Sequence, residues 1–167
     1  EAAEWAAYCA DWFRDRGQEP PLVYWQIGNE AYGWWERCHM TGEMYAGVVR
    51  EMAPAIRDAY PAARIVALGA SASNRMEAEG ESTPWRAPLL DACGDLIDVL
   101  ALQLYATLPT GGAPAAQQAA MLEAAATNAR KLREAAEDCA RRGLPIRVAL
   151  SEWNLWLHAS HFAPEGF

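Results

Sequence analysis

Four short apolar runs, spaced along the chain and separated by helix-patterned sequence, constrain this protein more than any other feature. They occupy residues 22–27 (LVYWQI), 64–68 (RIVAL), 96–105 (LIDVLALQLY) and 146–151 (IRVALS). Each is rich in Val, Ile, Leu or aromatic residues and is bounded by Gly, Pro or polar residues, which is the composition of a buried strand. The stretches between them change period. Residues 1–16 carry Trp5, Tyr8, Cys9, Trp12 and Phe13 at helical spacing. Residues 41–61 open on Thr41 as a cap and place Met44, Tyr45, Val48, Val49, Met52, Ile56 and Tyr60 on one face, with Pro54 as an interior breaker. Residues 88–93 can form a short helix, and 115–142 form a long Ala-rich one ended by Gly143.

The order is a helix followed by strand-helix units, the last lacking its helix. Such alternation implies an α/β protein with a parallel sheet covered by helices. The strand spacing suits an eight-fold β/α barrel, in which about 250 residues make eight units. It suits an open doubly wound sheet equally well. Both folds place chemistry at the carboxyl ends of their strands. No Gly-rich phosphate fingerprint follows any strand, since GASAS and TGGAP are too loose, and this weighs against a nucleotide-binding enzyme.

The 167 residues carry a net charge of −8. Nothing basic is concentrated enough to neutralise phosphates, which excludes nucleic acid and anionic membranes as partners. Arg130, Lys131, Arg133, Arg141 and Arg142 lie among acidic residues and are expected on a solvated helix face. No apolar run approaches the ~20 residues of a membrane helix. The cysteines Cys9, Cys38, Cys93 and Cys139 have no metal-like spacing, so no metal and no cofactor are implied; small buried thiols in a reducing compartment are the expectation, with the cytoplasm favoured. Because the chain begins on Glu1 in what reads as mid-helix, its natural N-terminus is expected further upstream.

Two carboxylates stand at strand tips. Glu30 follows the first run in YWQIGNE, and Glu152 follows the fourth in VALSEWN. A lone Glu at a strand end is ordinarily a solvated loop residue. Two of them, three β/α units apart and each flanked by Trp and Asn, can meet across the mouth of a barrel. That pairing is what glycoside hydrolysis requires: one protonated acid and one ionised partner, ~5–5.5 Å apart in retaining enzymes and ~6.5–9.5 Å apart in inverting ones. Eight Trp and six Tyr suit a pocket that stacks sugar rings, although core packing explains any single one equally well. Trp25 is expected in the core. Trp153 and Trp156 are the candidates for lining a sugar site, and Asn154 for orienting Glu152.

These motifs resemble those of clan A glycoside hydrolases. WQIGNE is similar to the acid/base motif that ends the fourth barrel strand, and SEWNLW to the nucleophile motif ending the seventh, in the form found in family 51 α-L-arabinofuranosidases. RIVALGAS resembles that family's fifth strand and IDVLALQLY its sixth. The resemblance implies a partial (β/α)8 TIM barrel, about strands four to seven with their helices, as a single incomplete catalytic domain over residues 1–167. The remaining strands and an accompanying β-sandwich would lie elsewhere. It implies Glu30 as acid/base and Glu152 as nucleophile in a retaining hydrolase of arabinose-containing carbohydrate. It also implies that Asn29 meets the sugar 2-hydroxyl and that Tyr105 touches the nucleophile. Where the family pattern carries His two residues before that Tyr, this chain has Gln103, which keeps a substrate-binding assignment but cannot titrate.

Other clan A sugars (xylosides, glucans, glucuronides) and a non-catalytic carbohydrate-binding relative remain alternatives, and a homo-oligomeric parent stays open. His39, His158 and His161 fall in loops, as rim contacts or plain surface histidines. Residues 76–86 are a candidate flap. A half-barrel alone would expose two long sheet edges and apolar faces, so these residues by themselves are expected to be poorly soluble and inactive.

Overall fold

A computed structural model describes residues 1–33, 35–70, 85–107 and 113–156; for Ala70, Thr107, Leu155 and Trp156 it describes the backbone alone. The candidate flap up to residue 84, His158 and His161 lie outside the described residues. The elements run α1 (Ala2–Arg14), β1 (Val23–Gln26), α2 (Gly42–Ala59), β2 (Ala63–Ala70), α3 (Arg86–Cys93), a single 3₁₀ turn (Gly94–Leu96), β3 (Val99–Thr107), α4 (Pro114–Arg141) and β4 (Arg147–Trp156). The four strands are all parallel and lie in sequence order, β1-β2-β3-β4. This is a half-barrel with its helices, and the α/β expectation from the alternating pattern holds.

Local chemistry explains the helix starts. The Thr41 hydroxyl accepts a hydrogen bond from the Met44 amide and caps α2. Pro114 occupies the first turn of α4, where its missing N–H costs nothing. Helix α2 continues through Pro54 to Ala59. The main core lies between sheet and helices, with Ile65, Leu68, Leu100, Leu102 and Leu104 against Tyr45, Val49, Ile56 and Leu89. A smaller cluster of Val66, Val99 and Ala101, with Ala149 packed on it, fills the inner face of the sheet.

Four expectations need correction. In α1 the aromatic stripe is outward: Trp5 is 61% and Tyr8 62% exposed, while Ala6 and Ala10 are fully buried. The small residues allow α1 to approach α2 closely, and this outweighs the greater area the aromatics would bury. Met44 likewise faces solvent on α2. Arg142 is not a solvated surface charge: it pairs with Asp138 at 3.1 Å and with Asp91 on α3, and Arg86 joins Asp138 at 3.1 Å, so these charges tie α3 to α4. Cys38 is exposed, whereas Cys93 and Cys139 are buried as expected, and all four thiols are free.

Two strand pairings carry irregularities. Pairing of β2 with β3 shifts between Leu68 and Ala70, which leaves Gly69 as an extra residue. A methyl group at Gly69 would lie 2.6 Å from Leu100 Cγ, so only glycine fits there. Pairing of β3 with β4 shifts between Leu102 and Gln103, which leaves Ser151 as the extra residue. The first bulge lies at the carboxyl end of β2 and the second midway along β4, and bulges of this kind re-aim the side chains that follow them.

Candidate active site

Strand β1 ends abruptly. Ile27 still donates to Val66 O at 3.0 Å, but the next position on β2 is diverted. Tyr45, buried on α2, donates from its hydroxyl to Ile27 O at 2.6 Å and accepts from the Leu68 amide at 2.9 Å. It thus stands in for a ladder bond and parts the two strand tips. Gly28 then adopts φ 75° and Glu30 φ 44°. A left-handed backbone is cheap for Gly28 and costs Glu30 strain, which surrounding structure must offset. The turn is closed by Gly33 N–H to Glu30 O at 2.6 Å. The Trp35 indole N–H donates to Glu30 Oε2 at 2.8 Å.

Strand β4 reaches its carboxylate differently. The run expected to stop at Ser151 continues to Trp156, so Glu152 lies within the strand and not after it. Val148 packs on the helix-side core and Ala149 on the inner cluster, as alternation requires. Uninterrupted alternation would turn Glu152 outward. The bulge at Ser151, whose hydroxyl donates to Leu102 O at 3.2 Å, adds one residue and turns Glu152 inward beside Gln103.

The two tips meet at Gln103. Its amide nitrogen donates to Asn29 Oδ1 at 2.9 Å and to Glu152 Oε1 at 2.6 Å, while its carbonyl oxygen accepts from the Tyr32 hydroxyl. The Tyr105 hydroxyl donates to the other oxygen of Glu152 at 2.9 Å. The hydrogen bond to Glu152, then desolvation, raises the pKa of Tyr105, and Glu30 adds to the effect. Burial raises Tyr32 further, again with contributions from both Glu30 and Glu152. Both carboxylates therefore add to the upward shift of the same two phenols. Under them lies an aromatic floor. Trp85 stacks on Tyr45 with centroids 4.8 Å apart and meets Tyr32 edge-on at 5.7 Å, and its indole donates to Leu68 O at 2.7 Å.

Asn29, Gln103, Tyr105 and Glu152 are thus joined by hydrogen bonds, and Glu30 follows Asn29 directly in the turn, with its carboxylate held by Trp35. Asn154 is in register with Tyr105 and shares the sheet face of Glu152. Trp153 is not brought in: it is in register with Leu104, on the helix side of the sheet, and is 73% exposed. The backbone of Trp156 is in register with Thr107, and its side chain lies outside the described residues. Trp25 packs against Tyr60 with centroids 6.2 Å apart, as a core residue should. His39 is exposed. Among the described residues no cluster of His, Cys, Asp or Glu could hold a metal ion, and no helix is long and apolar enough to cross a membrane. Sequence reasoning missed Tyr32 and Trp35. The one signal for them was the aromatic density of EAYGWW directly after the carboxylate.

No protein-family model matches the chain. It is 27% identical over 180 aligned residues to a probable α-L-arabinofuranosidase C of Aspergillus flavus, covering 93% of this chain and 34% of that protein. It is 29% identical over 145 residues to an intracellular exo-α-(1→5)-L-arabinofuranosidase of Streptomyces lividans, covering 85% of this chain and 21% of that one. Its fold matches the structure of a thermostable family 51 α-L-arabinofuranosidase from Thermotoga petrophila with a TM-score of 0.61 and 26% identity, over 95% of this chain and 32% of the other. The chain spans about a third or less of the length of these relatives.

Proposed function

We propose that this chain, which belongs with the family 51 α-L-arabinofuranosidases in sequence and fold, supplies both catalytic carboxylates of a retaining glycoside hydrolase acting on arabinose-containing carbohydrate. Glu152 is the nucleophile. It attacks the anomeric carbon while Glu30 gives its proton to the leaving oxygen, forming a glycosyl-enzyme ester. Glu30 then takes a proton from water as that water attacks the same carbon, the sugar leaves with its configuration retained, and Glu152 is freed. Asn29 accepts from Gln103 through its oxygen, which leaves its NH₂ group to donate to the sugar 2-hydroxyl, a bond that strengthens as charge develops at the ring.

The observation that supports this reading best is the shared nitrogen of Gln103. It lies 2.9 Å from the residue beside Glu30 and 2.6 Å from Glu152 itself. Two strand tips 122 residues apart in sequence therefore converge on one site. Further support comes from the donors on both oxygens of Glu152, which satisfy a charged carboxylate and leave it rigid. Asn154 and Tyr105 extend the same face toward the substrate.

The test is hydrolysis of 4-nitrophenyl α-L-arabinofuranoside by the full-length gene product, followed by NMR of the first-formed sugar. Turnover with retained anomeric configuration is expected. An inverted first product would overturn the mechanism. Turnover of aryl xylosides or glucosides in place of the arabinofuranoside would keep the chemistry and change the sugar.

A further inference from the structure

We infer that Tyr32 and Gln103 form a buried clamp that positions the reacting groups, in which Gln103 sets Glu152 against Asn29 and Tyr32 fixes the way the Gln103 amide points. This rests on the glycosidase reading above and assigns Gln103 to positioning instead of to sugar contact. Gln103 is 1% exposed and is the one buried polar side chain among the described residues that is not aromatic. A primary amide offers two N–H donors and one carbonyl acceptor. Here both donors are used on Asn29 and Glu152, and the carbonyl takes the Tyr32 hydroxyl. No donor of the amide is left for a sugar hydroxyl.

The orientation of the amide matters as much as its presence. With oxygen and nitrogen exchanged, the carbonyl would face two acceptors, the carboxylate of Glu152 and the Asn29 oxygen. Both hydrogen bonds would become repulsive contacts in a buried site, where unsatisfied polar groups are costly. The Tyr32 hydroxyl opposes that exchange because its proton, now held by the Gln103 carbonyl, would face N–H groups and lose its acceptor. Burial, reinforced by Glu30 and Glu152, keeps the phenol protonated and hence a donor. Its ring is itself held edge-on by Trp35 at 6.5 Å and Trp85 at 5.7 Å. The clamp therefore runs from the aromatic floor through Tyr32 and Gln103 to both strand tips.

Three variants of the full-length gene product test this with the aryl arabinofuranoside: Tyr32→Phe, Gln103→Met and the double variant. Gln103→Met keeps side-chain length and removes every donor to a charged group, so kcat is expected to fall about 10- to 100-fold with KM changed less than about threefold. Tyr32→Phe removes a neutral hydrogen bond, so kcat should fall about 2- to 10-fold, again with KM nearly unchanged. Since Tyr32 acts only through Gln103, the double variant should be no slower than Gln103→Met alone, a non-additivity that a merely structural role would not produce. Additive losses, or a rise in KM at unchanged kcat, would overturn the inference. If Gln103→Met fails to fold, the kcat-against-KM split of Tyr32→Phe decides. A wild type without turnover sinks the glycosidase reading and the clamp with it; an active wild type with unmoved variants sinks the clamp alone.

Discussion

The two carboxylates are held in opposite ways. Glu152 sits inside a strand on extended backbone, with a donor on each oxygen, Gln103 at 2.6 Å and Tyr105 at 2.9 Å. Glu30 sits beyond its strand in a tight turn, on left-handed backbone, with one donor among the described residues, the exposed indole of Trp35. A group that must stay charged and aimed at one atom benefits from fixed donors. A group that must give up a proton and take one back needs a free oxygen and access to water. The difference between the tips matches the division of labour proposed for them, and it is open to direct attack.

The largest effect should come from the carboxylates themselves. Glu152→Gln is expected to reduce turnover on the order of 10⁴-fold or more, because no other group can form the ester. Glu30→Ala removes acid-base help worth about 10²- to 10⁴-fold, and the loss should shrink for aryl leaving groups that need no proton. Added azide should restore the rate of the Glu30 variant, entering where activated water would, and should do nothing for the Glu152 variant. If azide rescues both or neither, or if the leaving group makes no difference, the assignment of roles fails.

One step down lie the donors. Tyr105→Phe strips a charge-assisted hydrogen bond from Glu152 and should cost about 1.5–3 kcal/mol of transition-state stabilisation, or roughly 10- to 100-fold in kcat/KM. Trp35→Phe removes the one donor to Glu30 among the described residues, at an exposed site, and should cost about 0.5–1.5 kcal/mol. Equal losses in the two variants would erase the distinction between a rigid and a loosely held carboxylate.

How far all this could be read in advance follows the same divide. The four strands, their parallel order and the long helix were legible because buried strands and Ala-rich helices advertise themselves in composition. Glu30 and Glu152 were legible because each sits in an Asn- and Trp-flanked motif at the end of such a run. What the chain did not show is what aims them. Ser151 looks like an ordinary strand residue, and nothing local says that it is the extra one, since a bulge exists only relative to the partner strand β3. Gly69 is similarly silent until Leu100 is placed beside it. The error over Trp153 has the same source, because one inserted residue inverts the face of everything after it. Tyr32 was overlooked because its partner is 71 residues away. The helical spacing of the α1 aromatics did not say which face meets the core, and close helix approach selected the alanines.

The smallest predicted effect guards the others against a false reading, because loss of activity in acid can come from unfolding as well as from the site. Asp138 on α4 is the group to watch. Burial works against its charged form, but hydrogen bonds from Arg142 and Arg86 prevail and hold its pKa below the ordinary 3.8. A carboxyl depressed in the folded state contributes stability that is fully present above its unfolded value and is lost as pH falls through the folded one. The tie between α3 and α4 should therefore hold at neutral pH and fail only below about pH 4. Asp138→Asn should cost about 1–3 kcal/mol at neutral pH and flatten the acid dependence of the melting temperature. Asp138 lies behind the sheet and touches none of Glu30, Glu152 or Gln103, so kcat at neutral pH should stay within about twofold of wild type. Melting curves at pH 3–7 for both proteins check this. An acid limb in activity that follows Asp138→Asn would belong to the fold; one that stays in place while the melting curve changes would belong to the two carboxylates, and so would keep the contrast between them intact.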